Sequence, residues 1–203
     1  MDLMSYARIG IVHPMAYPAV DTPEGLLSSI ERIALDDYFD VIEIAPIDNE
    51  VIRKKAKEIL TVSGMATIIV THPLLMKHLY NLNDLDQYKR ELSVLAIKNA
   101  VNDACEMGAE SVVVMGGVFE PMKREESKAA LITSLCEICE HAEKKDPSMR
   151  ILLEIFDDQV DKKSIIGPAV EAALVAEKIF SIHKNFGLLV DLSHIPLLKE
   201  TPE

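Results

Sequence analysis

No window of the 203 residues approaches the roughly 18 consecutive apolar residues of a membrane span. The N-terminus, MDLMSYARIG, also lacks the basic and apolar regions of a signal peptide. Basic residues are scarce: 21 Lys and Arg stand against 33 Asp and Glu, for a formal net charge of −12. Such a field repels phosphate backbones unless the basic residues gather on one face, so no nucleic acid and no membrane is expected as a partner. Cysteine is sparse as well. Cys105, Cys136 and Cys139 are an odd number in a chain without a secretion signal, which argues against a disulfide framework and reads as reduced thiols. With 49% hydrophobic residues, no low-complexity stretch and no linker, the expectation is one cytoplasmic, globular domain spanning residues 1–203.

What the chain has is alternation. Short apolar, β-branched runs at Ala7–His13, Asp40–Pro46, Ala66–His72, Ser111–Gly116, Arg150–Phe156 and Phe186–Ser193 read as strands. They are apolar almost throughout, as strands covered on both faces should be. Between them, helical patterns run over Pro23–Asp37, Glu50–Ser63, Leu85–Met107, Lys123–Lys145 and Pro168–Lys184. Thr22-Pro23 and Gly167-Pro168 supply start signals, and Gly108 suits a left-handed helix terminus. Strand, helix, strand in succession is the signature of βαβ units and a parallel sheet, an α/β fold.

Such a sheet is either open and doubly wound or closed into a barrel. The glycine-rich GxGxxG turn that opens many doubly wound sheets is missing, because His13-Pro14-Met15-Ala16 occupies its place. Polar residues instead collect at strand C-termini: His13, Glu43, His72, Glu154, Asp157, Asp191 and His194. A rim assembled from many strands is what the active face of a (β/α)₈ barrel requires. A barrel of about eight strands and 250 residues is two units longer, so the chain supplies about the first six β/α units.

Several rim residues invite chemistry. In Arg150-Ile-Leu-Leu-Glu154, a carboxylate ends an apolar strand, where a bare charge costs several kcal/mol and calls for a metal or a cationic partner. The next strand offers Asp191 and, three residues later, His194; carboxylate and imidazole together suit Mn²⁺, Mg²⁺, Co²⁺ or Zn²⁺. The plain alternatives are a Glu paired with a rim cation, an Asp capping a turn and a His facing solvent. His13 and His72 each precede a proline, which favours an extended backbone and lets the imidazole project from the rim toward substrate oxygens. Glu43 lies deeper and needs an internal partner or a substrate hydroxyl. Cys136 and Cys139 share a helical pattern with Leu131, Ile132, Leu135 and Ile138, so they read as core rather than as a redox or zinc pair.

The pattern resembles the xylose-isomerase-like TIM-barrel superfamily, the sugar phosphate isomerase/epimerase group. The resemblance rests on Phe39-Asp-Val-Ile-Glu43-Ile, Ala104-Cys-Glu-Met-Gly108-Ala-Glu-Ser-Val-Val-Val, Leu152-Leu-Glu154-Ile and Asn185-Phe-Gly-Leu-Leu-Val-Asp191-Leu-Ser-His194. It implies that Glu154 and Asp191 bind a divalent metal, Mn²⁺ first, with Mg²⁺, Co²⁺ and Zn²⁺ as alternatives. It implies that His194 contacts a small sugar or sugar-phosphate substrate and that Glu154 is also an acid/base. The implied reaction is proton abstraction beside a carbonyl through a metal-stabilised enediolate. His13, His72 and Glu43 join this set as substrate-binding candidates.

In that family the remaining ligands, a His and a Glu, come from strands seven and eight, whereas this sequence stops at Lys199-Glu-Thr-Pro-Glu203. The expectation is a barrel truncated at its C-terminus, its exposed edge favouring a homo-oligomer. Two other readings stand beside the isomerase. An endonuclease IV-like apurinic endonuclease would use additional histidines, one at the end of the fourth strand, where Val114-Met115-Gly116-Gly117 has none. A non-catalytic sugar-binding barrel would keep the rim without the chemistry.

Overall fold

In the computed structural model, which describes residues 6–201, six parallel strands form one sheet in the order β1 to β6. They are β1 (Gly10–Val12), β2 (Val41–Ile44), β3 (Ala66–Val70), β4 (Ser111–Met115), β5 (Arg150–Glu154) and β6 (Phe186–Leu189). Each strand pairs with its successor. A doubly wound sheet reverses its order at a switch point; strictly sequential order instead winds one way, as a barrel does. The expected α/β fold is therefore the observed one, with about six β/α units of a partial barrel.

Seven helices connect the strands among the described residues: α1 (His13–Ala16), α2 (Pro23–Ala34), α3 (Glu50–Ser63), α4 (His72–His78), α5 (Gln87–Met107), α6 (Arg124–Lys145) and α7 (Ala169–Phe180). The Thr22 hydroxyl caps α2 by accepting from the Gly25 N–H at 3.1 Å, with Pro23 at the first position. Asn49 caps α3 through the Val51 and Ile52 N–H groups, and Asp86 caps α5 through Lys89. Gly64 and Gly108 end α3 and α5 with φ of 73° and 72°, where a Cβ would be strained.

Three expectations need correction. The first strand covers three residues rather than seven, and the sixth stops at Leu189. His13 and His72 do not stand on extended backbone: each opens a helix, α1 or α4, with proline in its first turn. Proline lacks only an N–H that a first turn leaves unpaired anyway, so the helix can begin at the residue before it.

Because paired residues of a parallel ladder share a face, the register sorts the strands into two rows. Ile42, Ile44, Ile69, Val112, Val114, Ile151, Leu153 and Phe186 face the helices, each no more than 1% exposed. Leu131, Leu135 and Ile138 of α6 belong to the same buried cluster. Burying one such side chain contributes roughly 1.5–3 kcal/mol, so this outer seam holds the fold. The opposite row carries Val41, Glu43, Ile68, Val113, Leu152, Glu154 and Leu189, and its carboxylates define the candidate site. Cys139 lies fully buried in the outer layer, its thiol pushed up to about 12 chiefly by burial, in keeping with a core cysteine. No helix among the described residues is long and apolar enough to cross a membrane.

Candidate metal and substrate site

Glu154 ends β5 on the inward row, between Met115 of β4 and Leu189 of β6. Two residues past Leu189, the same alternation brings Asp191 to that face, and the turn after it carries His194. Ligand atoms from Glu154, Asp191 and His194 lie within 4.8 Å of one another. His194 Nε2 is 3.8 Å from Glu154 Oε1 and 3.6 Å from Asp191 Oδ2. At the start of α4, just past the end of β3, His72 places Nε2 at 3.5 Å from Glu154 Oε2, and that buried nitrogen has no hydrogen-bond partner. Phe156 separates the two imidazoles, its ring centroid 5.3 Å from His72 and 4.5 Å from His194.

Electrostatics set this cluster apart from an ordinary rim ion pair. Burial, then the charges of Asp191 and Glu43, push Glu154 up to about 7, while the Lys162 ammonium pulls the other way. Burial and Asp191 likewise hold Glu43 above the usual carboxylate range. Burial alone would raise Asp191 too, but the Ser193 N–H and hydroxyl and the nearby His194 hold it below that range. Burial lowers His72 to about 4, so its imidazole is neutral near pH 7. Burial and the two neighbouring carboxylates thus outweigh Lys162, and Glu154 stands near neutrality. The plain alternative, a Glu neutralised by a rim Lys or Arg, finds no such pair for Glu154 among the described residues.

Of the sequence-derived candidates, Glu154, Asp191, His194 and His72 come together, and Glu43 joins them electrostatically. The structure does not bring His13 to the cluster. Val12 takes the inward position beside Glu43, so alternation turns His13 outward. Its Nε2 lies 2.8 Å from Ser29 Oγ on α2, and its ring stacks on Tyr17. Asp157, another rim carboxylate, is buried as a loop clamp. Burial works against its charge, but N–H groups of Val160, Asp161 and Lys162 reach its oxygens at 2.6–3.0 Å and bring it down to about 2.

Sequence reasoning passed over Lys162 and the groove beside it. The groove, about 400 Å³, is lined by Leu75, Met76, Tyr80, Met115, Val118 and Lys162 among others, and it adjoins the cluster through Met115, the β4 neighbour of Glu154. A larger cavity of about 510 Å³ lies at the opposite ends of the strands, lined by Arg8, Phe39, Asp40 and Glu110, away from these carboxylates.

The family profile described as xylose isomerase-like TIM barrel matches residues 29–201. No curated protein matches. Among solved structures, a D-psicose 3-epimerase from Clostridium cellulolyticum H10, crystallised with D-tagatose, superposes with a TM-score of 0.74 at 17% identity, over 94% of this chain and 65% of that one. A D-tagatose 3-epimerase-like protein gives 0.71 at 22% identity, over 95% and 72%. An AP endonuclease, family 2, from Brucella melitensis gives 0.74 at 14% identity, over 93% and 70%. The chain thus spans about two thirds of the length of the structures it resembles, and at these identities the likeness is one of fold. With the profile covering most of its length, the chain belongs to the xylose isomerase-like TIM barrel family.

Proposed function

We propose that the protein is a metal-dependent isomerase or epimerase of a small sugar or sugar phosphate. The observation that carries this reading is the convergence of Glu154, Asp191 and His194 within 4.8 Å, with Glu154 titrating near 7. Two hard oxygen donors and an imidazole suit a divalent cation, Mn²⁺ first, so His194 is read here as a third ligand rather than as the substrate contact that the resemblance implies. Bound there, the cation would supply positive charge against the negative charge that develops on the substrate.

The protein's own residues do the rest. As the carboxylate that ends β5 on the inward row, Glu154 removes the proton from the carbon beside the substrate carbonyl and returns it. Neutral His72 offers its unpartnered Nε2 to a substrate hydroxyl. Glu43, on the same inward row of β2 and held above the usual carboxylate range by burial and by Asp191, hydrogen-bonds a second substrate oxygen. Phe156 packs against both the His72 and the His194 rings and keeps them in place. The net charge of −12 supports a small substrate over a duplex.

The test is solvent exchange. The protein is loaded with Mn²⁺ in D₂O and incubated with a panel of ketoses and ketose phosphates. NMR should show deuterium entering at the carbon beside the carbonyl, and Glu154→Gln should abolish it. Binding of a sugar that survives metal removal, with no exchange on any substrate, would contradict the reading and favour a sugar-binding barrel. Metal-dependent cleavage of abasic DNA would contradict it in favour of the endonuclease.

A further inference from the structure

The loop after β5 is built far more firmly than a connection requires. Asp157, fully buried, gathers the N–H groups of Val160, Asp161 and Lys162. The Ser164 hydroxyl donates to the Gly116 carbonyl at 3.0 Å, and the Ile165 N–H donates to Gly117 O at 2.9 Å. Arg124 ties the same segment down through Asp158 Oδ2 at 3.2 Å and the Ile165 carbonyl at 3.3 Å. Lys163 takes a left-handed φ of 51°, unusual without glycine. This fastening fixes the backbone from which the Lys162 side chain leaves.

Lys162 lines the groove that runs from Met115 toward α4. Its ion pair is with Asp161 Oδ2 at 3.2 Å; Asp161 also lines the groove, with its side chain 56% exposed to solvent. Its ammonium is therefore not taken up by Glu154, Glu43 or Asp191, although its field reaches Glu154 and His72. A cation carried on this fixed backbone at the edge of a largely apolar groove, next to a carboxylate site, is placed to meet the far end of a substrate whose carbonyl lies at Glu154.

We propose that the Lys162 ammonium binds an anionic group of the substrate, a carboxylate or a phosphate, and so selects sugar acids or sugar phosphates over neutral sugars. This rests on the reading of the Glu154 cluster as the reacting site. Lys162 acts as a specificity residue, and the Asp157 clamp positions it.

Three probes sharing one skeleton test this by calorimetry: glycerol, glycerate and glycerol 3-phosphate, each titrated into the wild type, Lys162→Gln and Lys162→Arg. In the wild type at least one anion should bind more tightly than glycerol, and the tighter of the two names the group. Lys162→Gln should weaken that anion by about tenfold and leave glycerol unchanged, as loss of one charge-assisted contact implies, while Lys162→Arg should retain the preference. Equal anion binding by wild type and Lys162→Gln, or no preference for either anion in the wild type, would overturn the assignment. Thermal melts of each variant check the fold. Mn²⁺ titrated separately reports the cluster: absence of Mn²⁺ binding in the wild type counts against the isomerase reading, whereas the probe comparison still decides Lys162.

Discussion

The outer layer and the inner rim of this sheet treat charge in opposite ways. Arg53 on α3 is nearly buried, but its guanidinium is paired, with the Ile47 carbonyl at 2.9 Å, Glu106 at 3.0 Å and Asp103 at 3.2 Å. At the strand N-termini, Arg8 and Glu110 form a two-pronged pair at 2.6 and 2.8 Å. On the rim, Glu154 is as deeply placed as Arg53, yet its close neighbours are two imidazoles and two further carboxylates. Paired charge in the outer layer supports the fold, whereas unpaired charge on the rim opposes it and persists where a ligand can compensate it. The same sheet thus separates stability and chemistry onto its two faces.

Substitutions should separate them too. Leu135→Ala, in the fully buried seam, should lower the unfolding free energy by about 3–5 kcal/mol in urea titrations, through lost transfer energy and a cavity. A loss under ~1 kcal/mol would mean the helical layer is looser than its packing suggests. Arg53→Ala should cost about 1–3 kcal/mol, chiefly by leaving the Ile47 carbonyl unpaired, since Asp103 and Glu106 remain reachable by water. A near-neutral result would remove the contrast with the rim.

Glu154→Gln should act the other way. The folded pKa of about 7 lies above the ordinary 4.5, so Glu154 contributes stability that is full below pH 4.5 and lost as pH rises through 7. The metal-free variant should therefore exceed wild type by on the order of 2 kcal/mol at pH 8 and lose that advantage at pH 4.5, read from melts at both pH values. Equal stability at pH 8 would show that the rim is not strained. His72 has the opposite sign: lowered from 6.5 to about 4, it contributes stability above pH 6.5 that is lost as pH falls through 4. The smallest effect belongs to Arg8→Ala, whose exposed pair should be worth under about 1 kcal/mol and should weaken with salt.

Much of this division is legible in the sequence. Glu154 and Asp191 are legible as carboxylates at the ends of apolar strands, but that they share one face follows only from the register, which pairs Glu154 with Leu189, two residues before Asp191. His194 follows because three residues span one tight turn. His72 is legible as a rim residue, but the short α4 that it opens is not, since a pre-proline residue ordinarily favours extended backbone. His13 misleads because its strand ends one residue earlier and the alternation turns it toward Ser29. Asp157 and Lys162 are hidden for another reason: they act through loop geometry, and a loop's path depends on backbone hydrogen bonds that leave no periodic trace.

The central claim is that Glu154, Asp191 and His194 form one cation site. Titration of the metal-free protein with Mn²⁺, followed by calorimetry from pH 6 to pH 8, tests it most directly. One equivalent should bind, with affinity rising about tenfold per pH unit below 7 as Glu154 gives up its proton and levelling off above, and both Glu154→Gln and Asp191→Asn should abolish it. Mn²⁺ binding that ignores either substitution, or no binding at pH 8, would contradict the account.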